Sequence, residues 1–327
     1  MTSAGQMTTG AAASLAAAYP EIVAAIGQTP MVELRHLAPH PSVRLFAKLE
    51  GNNPTGSVKD RVARAMLEDA RASGALRPGQ TILEPSSGNT GISLAMIGAR
   101  LGHPVRIVMP DNTTPERTQL LRLFGAEIVS SPGAQGSNGA IRLAHELAAA
   151  DLTLFMPYQY GNPANPGAHE TTTGPEILAQ VPEINVFVAG LGTGGTLTGV
   201  GRYLKRERPG VRVVAAEPLP GELVQGLRSL EEGFVPPVLD ESVLDDRFLV
   251  GNRDAVIGLR RLTAEEGIFA GLSSGAAVSV AVRVAREMAS GSVVVLLADA
   301  GWKYLSTGIW DRDLDELEDE LEGSLLW

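Results

Sequence analysis

Cysteine is absent from the 327 residues, which excludes disulfide bonds, thiolate metal sites and a thiol nucleophile. Histidine is scarce. The five histidines, at positions 36, 40, 103, 145 and 169, form no H-E-x-x-H pair, and His145-Glu146 leads to Ala149 where a second metal ligand would have to stand. No metal site is expected. No apolar run approaches the roughly 18 residues of a spanning helix, and no basic stripe offers a surface to nucleic acid. Net charge is −10, but residues 311–327 hold eight acidic side chains and one arginine, so the acidity belongs to the tail. Residues 1–19 are rich in Ala, Thr, Ser and Gly without a cationic leader or a continuous apolar core. A loose N-terminal segment is expected there rather than a signal peptide, with a cytoplasmic location as the default.

What is present is an alternation of β-branched apolar runs with helical periodicity, the pattern of parallel strands joined by crossover helices in an α/β fold. The expected strands are Val43–Glu50, Thr81–Glu84, Val105–Met109, Glu127–Ser130, Leu152–Met156, Val186–Ala189, Val211–Ala216 and Val293–Ala298. Helices are expected between most of them, for example over Glu116–Phe124 and Asn138–Ala149. The segment Tyr160-Gly161-Asn162-Pro163-Ala164-Asn165-Pro166-Gly167 is the best candidate hinge between two sheet-based lobes, with a ligand between them.

Chemistry enters at Pro54-Thr55-Gly56-Ser57-Val58-Lys59-Asp60-Arg61. Ser57 is placed to cap a helix from about Val58, which puts Lys59 in the first helical turn. The partial positive charge of a helix N-terminus disfavours an ammonium there and lowers its pKa. A lysine so placed can be a nucleophile that condenses with a carbonyl.

Three loops follow strands or open helices and would present free backbone N–H groups at a sheet edge. Glu84-Pro85-Ser86-Ser87-Gly88-Asn89-Thr90-Gly91 offers hydroxyls, an amide and a helix start suited to a carboxylate. Gly190-Leu191-Gly192-Thr193-Gly194-Gly195-Thr196 satisfies G-x-G-x-x-G, with Glu217 following 22 residues after Gly195. It suits either a dinucleotide, with Glu217 on a ribose, or a lone phosphate monoester. Gly271-Leu272-Ser273-Ser274-Gly275 opens a helix over Ala276–Met288, where Ser273 could donate to a ligand nitrogen. This last loop matches G-x-S-x-G literally, but no clear strand precedes it and no histidine follows position 169, which sets a nucleophile elbow aside.

Together with Gln159-Tyr160-Gly161-Asn162-Pro163-Ala164-Asn165, these motifs closely resemble the cysteine synthase family of fold-type II pyridoxal phosphate enzymes. The match runs from Gly27-Gln28-Thr29-Pro30 to Gly301-Trp302-Lys303-Tyr304-Leu305-Ser306-Thr307-Gly308. The resemblance implies two lobes, each with a mostly parallel sheet: residues 20–53 with 157–310 forming the larger, 54–156 the smaller and mobile one, and 311–327 an acidic tail. It implies that Lys59 carries the cofactor as an imine and then removes the substrate's α-proton. Asn89 would bond the ring oxygen, Gly192, Thr193, Gly194, Gly195 and Thr196 the phosphate, and Ser273 the pyridine nitrogen. Ser87, Gly88, Thr90 and Gln159, with Ser86 assisting, would grip the substrate carboxylate. A neutral hydroxyl at the ring nitrogen leaves a weaker electron sink, which favours β-elimination to an α-aminoacrylate over transamination or racemisation.

Glu217-Pro218-Leu219-Pro220-Gly221-Glu222 leading to Gly226-Leu227-Arg228, and the closing Leu321-Glu322-Gly323-Ser324-Leu325-Leu326-Trp327, are similar to the actinobacterial B-type synthases. Those use O-phosphoserine and a thiocarboxylated sulfur-carrier protein, which implies a phosphate-binding role for Arg228. Ser86 and Leu219-Pro220 depart from that subgroup's pattern. The implied partners are O-phosphoserine or O-acetylserine, a small sulfur-carrier protein or sulfide, and a second copy of the chain as a homodimer. Leu314, Leu317, Leu321 and Leu325 fall at helical spacing, and the last residues are expected to close over the cleft. Diaminopropionate or cystathionine synthesis, and a dinucleotide-binding oxidoreductase or sensor, are the competing readings.

Overall fold

The computed structural model describes residues 18–317 except Leu223. Its strands are β1 (Met31–Glu33), β2 (Val43–Leu49), β3 (Thr81–Pro85), β4 (Val105–Pro110), β5 (Glu127–Ser131), β6 (Leu154–Phe155), β7 (Ile184–Gly190), β8 (Arg212–Pro218), β9 (Asp246–Val250) and β10 (Gly291–Leu297). The helices are α1 (Lys59–Ala72), α2 (Asn89–Leu101), α3 (Pro115–Leu123), α4 (Gly136–Ala150), α5 (Ala164–Ala168), α6 (Gly174–Gln180), α7 (Gly195–Glu207), α8 (Asn252–Glu266) and α9 (Leu272–Glu287), with a 3₁₀ turn over Gly301–Thr307.

Two sheets result. The larger runs β1-β2-β10-β7-β8-β9 and the smaller β5-β4-β3-β6. Every pairing is parallel except that of β1 with β2. The chain lays down β1 and β2, leaves to build the whole smaller sheet, and returns for β7–β10.

Both faces of each sheet are covered, which is why the central strands read as unbroken apolar runs. In β10, Val293, Val295 and Leu297 join one core cluster, while Val294 and Leu296 join another on the opposite face, as the two-residue period of a strand requires. The smaller sheet repeats the arrangement: Ile82 and Ile107 pack in one cluster with α1 and α2, and Leu83 and Val108 in a second with α4. No helix of the described residues is long and apolar enough to cross a membrane.

Several elements differ from the sequence expectations. The strand expected over Leu152–Met156 shrinks to Leu154–Phe155, and Leu152 stands 84% exposed. The last long helix starts at Leu272 rather than Ala276, so Ser273 lies within it. No side chain caps α1 in the usual way; its N-cap is Val58, and Ser57 Oγ instead accepts from the Lys59 amide at 3.3 Å. In the tail, Leu317 is buried and Leu314 packs against the same core, held by Arg260 donating to the Ile309 carbonyl at 2.8 Å. Leu321–Trp327 lie outside the described residues.

Candidate active site

The residues around Lys59 are fixed one by one, and they leave its side chain a single direction. The Val58 amide donates to the Ala298 carbonyl at 2.8 Å. Asp60, fully buried, accepts from the Thr55 amide and the Ser93 hydroxyl at 2.7 and 2.6 Å. Arg61, also buried, is gripped by Glu50 and Glu176 through four contacts of 2.7–2.9 Å. Lys59, with Val58 beside it, is left lining the cavity of about 300 Å³ between the two sheets.

The chain contains four lysines, at 48, 59, 205 and 303. Lys48 is buried against Glu176 at 2.7 Å, Lys205 pairs with Asp245 at 2.8 Å, and Lys303 donates to the Gly56 carbonyl at 3.0 Å. Lys59 alone lines the cleft. Burial lowers its amine to about 8, with the nearby Asp299 carboxylate opposing, so a sizeable fraction is neutral and nucleophilic near neutral pH.

The glycine turn joins β7 to α7, and Gly192, Thr193, Gly194 and Thr196 line the same cavity. Gly194 sits at φ +82°. At Gly195 a β-carbon would fall 2.0 Å from Asn165 Oδ1, so only glycine lets the turn lie against Asn165. Asn165 in turn donates to the Gln159 carbonyl at 2.8 Å and to Thr193 Oγ1 at 3.1 Å. Thr193 Oγ1 also accepts from the Gly195 amide, which leaves its own proton free to donate. Thr196 Oγ1 lies 3.2 Å from Nε2 of buried His169, whose pKa is driven well below the usual histidine value by burial. The first amides of α7 have no intrahelical acceptors and favour an anion. Gly195→Ala is expected to weaken phosphate-bearing ligands by at least about a hundredfold in equilibrium dialysis, since steric displacement of the turn removes several charge-assisted bonds at once.

The 86–90 loop faces that turn across the cleft. Ser86 Oγ accepts from the Gly88 and Gly91 amides at 3.3 and 3.0 Å, which shapes the loop. Thr90 donates to Gln159 Oε1 at 2.6 Å, and Ser87, Gly88, Thr90 and Gln159 all line the cavity. Beneath them buried Glu84 accepts from the Tyr158 and Gln159 amides at 2.7 and 2.9 Å. Asn89 donates through Nδ2 to Asp299 Oδ2 at 2.8 Å, while its Oδ1 is buried without a partner. Ser273, at the start of α9, lines the cavity beside Gly226. Arg228 is at the mouth, its guanidinium 4.8 Å from the Phe234 ring centroid and 3.3 Å from Asn138 Oδ1.

Two features were not foreseen from the sequence. Asp299 accepts from both Asn89 and the Tyr304 hydroxyl, each at 2.8 Å, and Arg117 reaches the cavity from α3. Glu217 corrects the dinucleotide reading. It is buried, and its carboxylate accepts from the Leu230 amide at 2.7 Å and the Ser229 hydroxyl at 3.3 Å, with Arg247 at 3.3 Å. A carboxylate so buried, ion-paired and absent from the cavity lining is not presented to a ribose.

An α/β fold of two helix-covered sheets, with a lone cleft lysine facing a glycine turn at a helix start, defines an enzyme that holds a phosphorylated carbonyl cofactor. Residues 22–299 match the family model described as pyridoxal-phosphate dependent enzyme. The chain is 45% identical to a cysteine synthase of Staphylococcus aureus, over 88% of this chain and 96% of that one. Among solved structures, O-ureido-L-serine synthase superposes with a TM-score of 0.85 at 44% identity, covering 90% of this chain and 96% of its own. O-acetyl serine sulfhydrylase isoform 3 from Entamoeba histolytica gives 0.85 at 36%, covering 97% and 99%. The chain belongs to the cysteine synthase family of fold-type II, pyridoxal-phosphate-dependent enzymes.

Proposed function

We propose that this enzyme makes L-cysteine by β-replacement on an activated L-serine, with O-phosphoserine as the preferred substrate. The observation that carries the reading is the convergence of Lys59, the 192–196 turn and the 86–90 loop on one cleft. The residues fit the cofactor. Asn89 Oδ1, buried and unpartnered, suits the ring hydroxyl, and Gly192, Thr193, Gly194, Gly195 and Thr196 offer amides and hydroxyls to a phosphate. Ser273 offers a hydroxyl, not a carboxylate, to the ring nitrogen.

Bound pyridoxal phosphate supplies an electron sink for the charge left at Cα when its proton departs. Lys59 Nζ takes that proton, since its depressed pKa leaves a fraction neutral near pH 7. Ser87, Gly88, Thr90 and Gln159, on a loop shaped by Ser86, orient the substrate through its carboxylate. Arg228, presented from the far wall, neutralises the departing phosphate through paired N–H bonds. The Cβ–S bond then forms, with sulfur delivered as sulfide or by a thiocarboxylated carrier protein whose acyl–sulfur bond is afterwards hydrolysed, and the proton held on Lys59 Nζ returns to Cα.

The reading further takes residues 54–156 as a lobe that moves against the rest, and a homodimer as the working assembly. Its test is the rate of β-elimination from O-phosphoserine and from O-acetylserine, each with Arg228→Ala. A loss of about ten- to a hundredfold confined to the phosphate ester is expected; equal losses on both esters would contradict phosphate recognition by Arg228. The similarity to O-ureido-L-serine synthase favours one second reading, the same elimination followed by attack of a hydroxyurea oxygen. Competition between sulfide and hydroxyurea for the one enzyme separates the two.

A further inference from the structure

One wall of the cleft carries a cation that none of these roles uses. Arg117 is 5% exposed and lines the cavity from α3. Its Nη2 donates to the neutral Gln225 Oε1 at 2.8 Å, its guanidinium lies 5.0 Å from the Tyr304 ring centroid, and its Nε is buried with no partner. Among the described residues no carboxylate pairs with it. Arg61, the other buried arginine, is held by two carboxylates. A guanidinium buried without a counter-charge is costly unless an anion comes to meet it.

The position of that unpaired nitrogen is known from Gly88. A β-carbon on Gly88 would lie 3.2 Å from Arg117 Nε, so Nε sits against the backbone that links Ser87 to the first amides of α2. Those amides lack intrahelical acceptors and favour negative charge. Arg228, by contrast, is tethered at the mouth by Asn138, Tyr160 and Phe234. The two guanidiniums therefore serve different parts of the cleft.

We propose that Arg117 is a substrate-positioning residue whose guanidinium pairs with the α-carboxylate of the amino-acid substrate at the 86–90 loop. The Gln225 bond holds the fork without neutralising it, and the Tyr304 ring supports its face. A carboxylate arriving at the loop gives Nε its missing acceptor and gives the buried charge its counter-ion. This inference rests on reading the loop as the carboxylate grip.

The test is binding of L-serine and of L-serine methyl ester to the cofactor-loaded protein without a sulfur donor, followed by the change in visible absorption. Arg117→Gln, Arg117→Lys and Thr90→Ala are compared with the parent. Arg117→Gln is expected to weaken L-serine about ten- to a hundredfold and to leave the ester, which lacks the carboxylate, unchanged. Arg117→Lys keeps the charge without the planar fork and is expected to weaken L-serine about three- to tenfold, again sparing the ester. If Arg117→Gln does not retain cofactor, the lysine variant decides: equal effects on both ligands, or none, overturn the proposal. Thr90→Ala guards the premise. L-serine unaffected by Arg117→Gln but weakened by Thr90→Ala refutes the role of Arg117 alone, whereas L-serine indifferent to Thr90→Ala refutes the loop reading. Inorganic phosphate provides the last arm: if Arg117→Gln abolishes its competition with L-serine yet leaves L-serine affinity intact, the guanidinium serves the leaving group and the proposal falls.

Discussion

Replacing Lys59 by alanine is expected to lower kcat/KM for β-replacement by at least about 10⁴-fold, because in the proposed function one side chain is both the attachment point of the cofactor and the base at Cα. No other lysine can take its place. Lys48 and Lys303 are fully buried on other partners and Lys205 is ion-paired on the surface, so the variant keeps its fold and loses the amine. The pH dependence follows from the same geometry. With the amine at about 8 rather than 10.5, the neutral form grows in as pH rises through about 8. The rate at which unloaded protein takes up pyridoxal phosphate should climb over that range and level off above it. A rate still rising tenfold per pH unit at pH 9 and beyond would mean an amine exposed to water.

The second large effect lies two residues further on. Arg61→Met is expected to destabilise the protein by about 3–5 kcal/mol in denaturant unfolding, because it strands the fully buried Glu50 without its cation. Lys48, Glu50, Arg61 and Glu176 form one cluster that ties β2, α1 and α6 together. Adding Glu50→Gln to Arg61→Met should recover part of the loss, as removal of both charges costs less than removal of one. The cluster also sets an acid limit. Burial opposes ionisation of Glu176, but its bonds to Arg61 and Lys48 prevail and hold it at about 2, below the ordinary 4.5. Between these values the unfolded chain binds more protons, so this contribution is complete above about pH 5 and is lost as pH falls toward 2. In Arg61→Met the folded value of Glu176 moves back toward the unfolded one, so that acid-dependent loss should shrink.

The sequence was most legible where both faces of a strand are buried. Val293-Val294-Val295-Leu296-Leu297 has no polar residue because a helix layer lies on each side, and β10 stands where those residues indicate. It was least legible at the edges. β9 carries Asp246 and Arg247 on an outer strand whose side chains meet water, as an edge permits, and nothing in its local pattern distinguishes it from a loop. Leu152 extended an apparent strand into a turn because an exposed leucine looks apolar whatever its surroundings.

The same division holds in the cleft. Lys59, Asn89, Ser273 and the 192–196 turn were legible as turn and helix-start chemistry, which is local. The dinucleotide alternative for Glu217 stayed open because spacing alone cannot reveal that Ser229, Leu230 and Arg247 fold back onto its carboxylate. Arg117 and Asp299 acquire meaning only when the two sheets close on each other. The bridge between Ser57 and Asp299 joins residues more than two hundred positions apart, and no periodicity announces it.

The most direct measurement is to reduce the cofactor-loaded protein with borohydride, digest it and locate the pyridoxyl group by mass spectrometry. The structure predicts one modified peptide, carrying the group on Lys59. A pyridoxyl group on Lys303 or Lys48, or spread among the lysines, would contradict it.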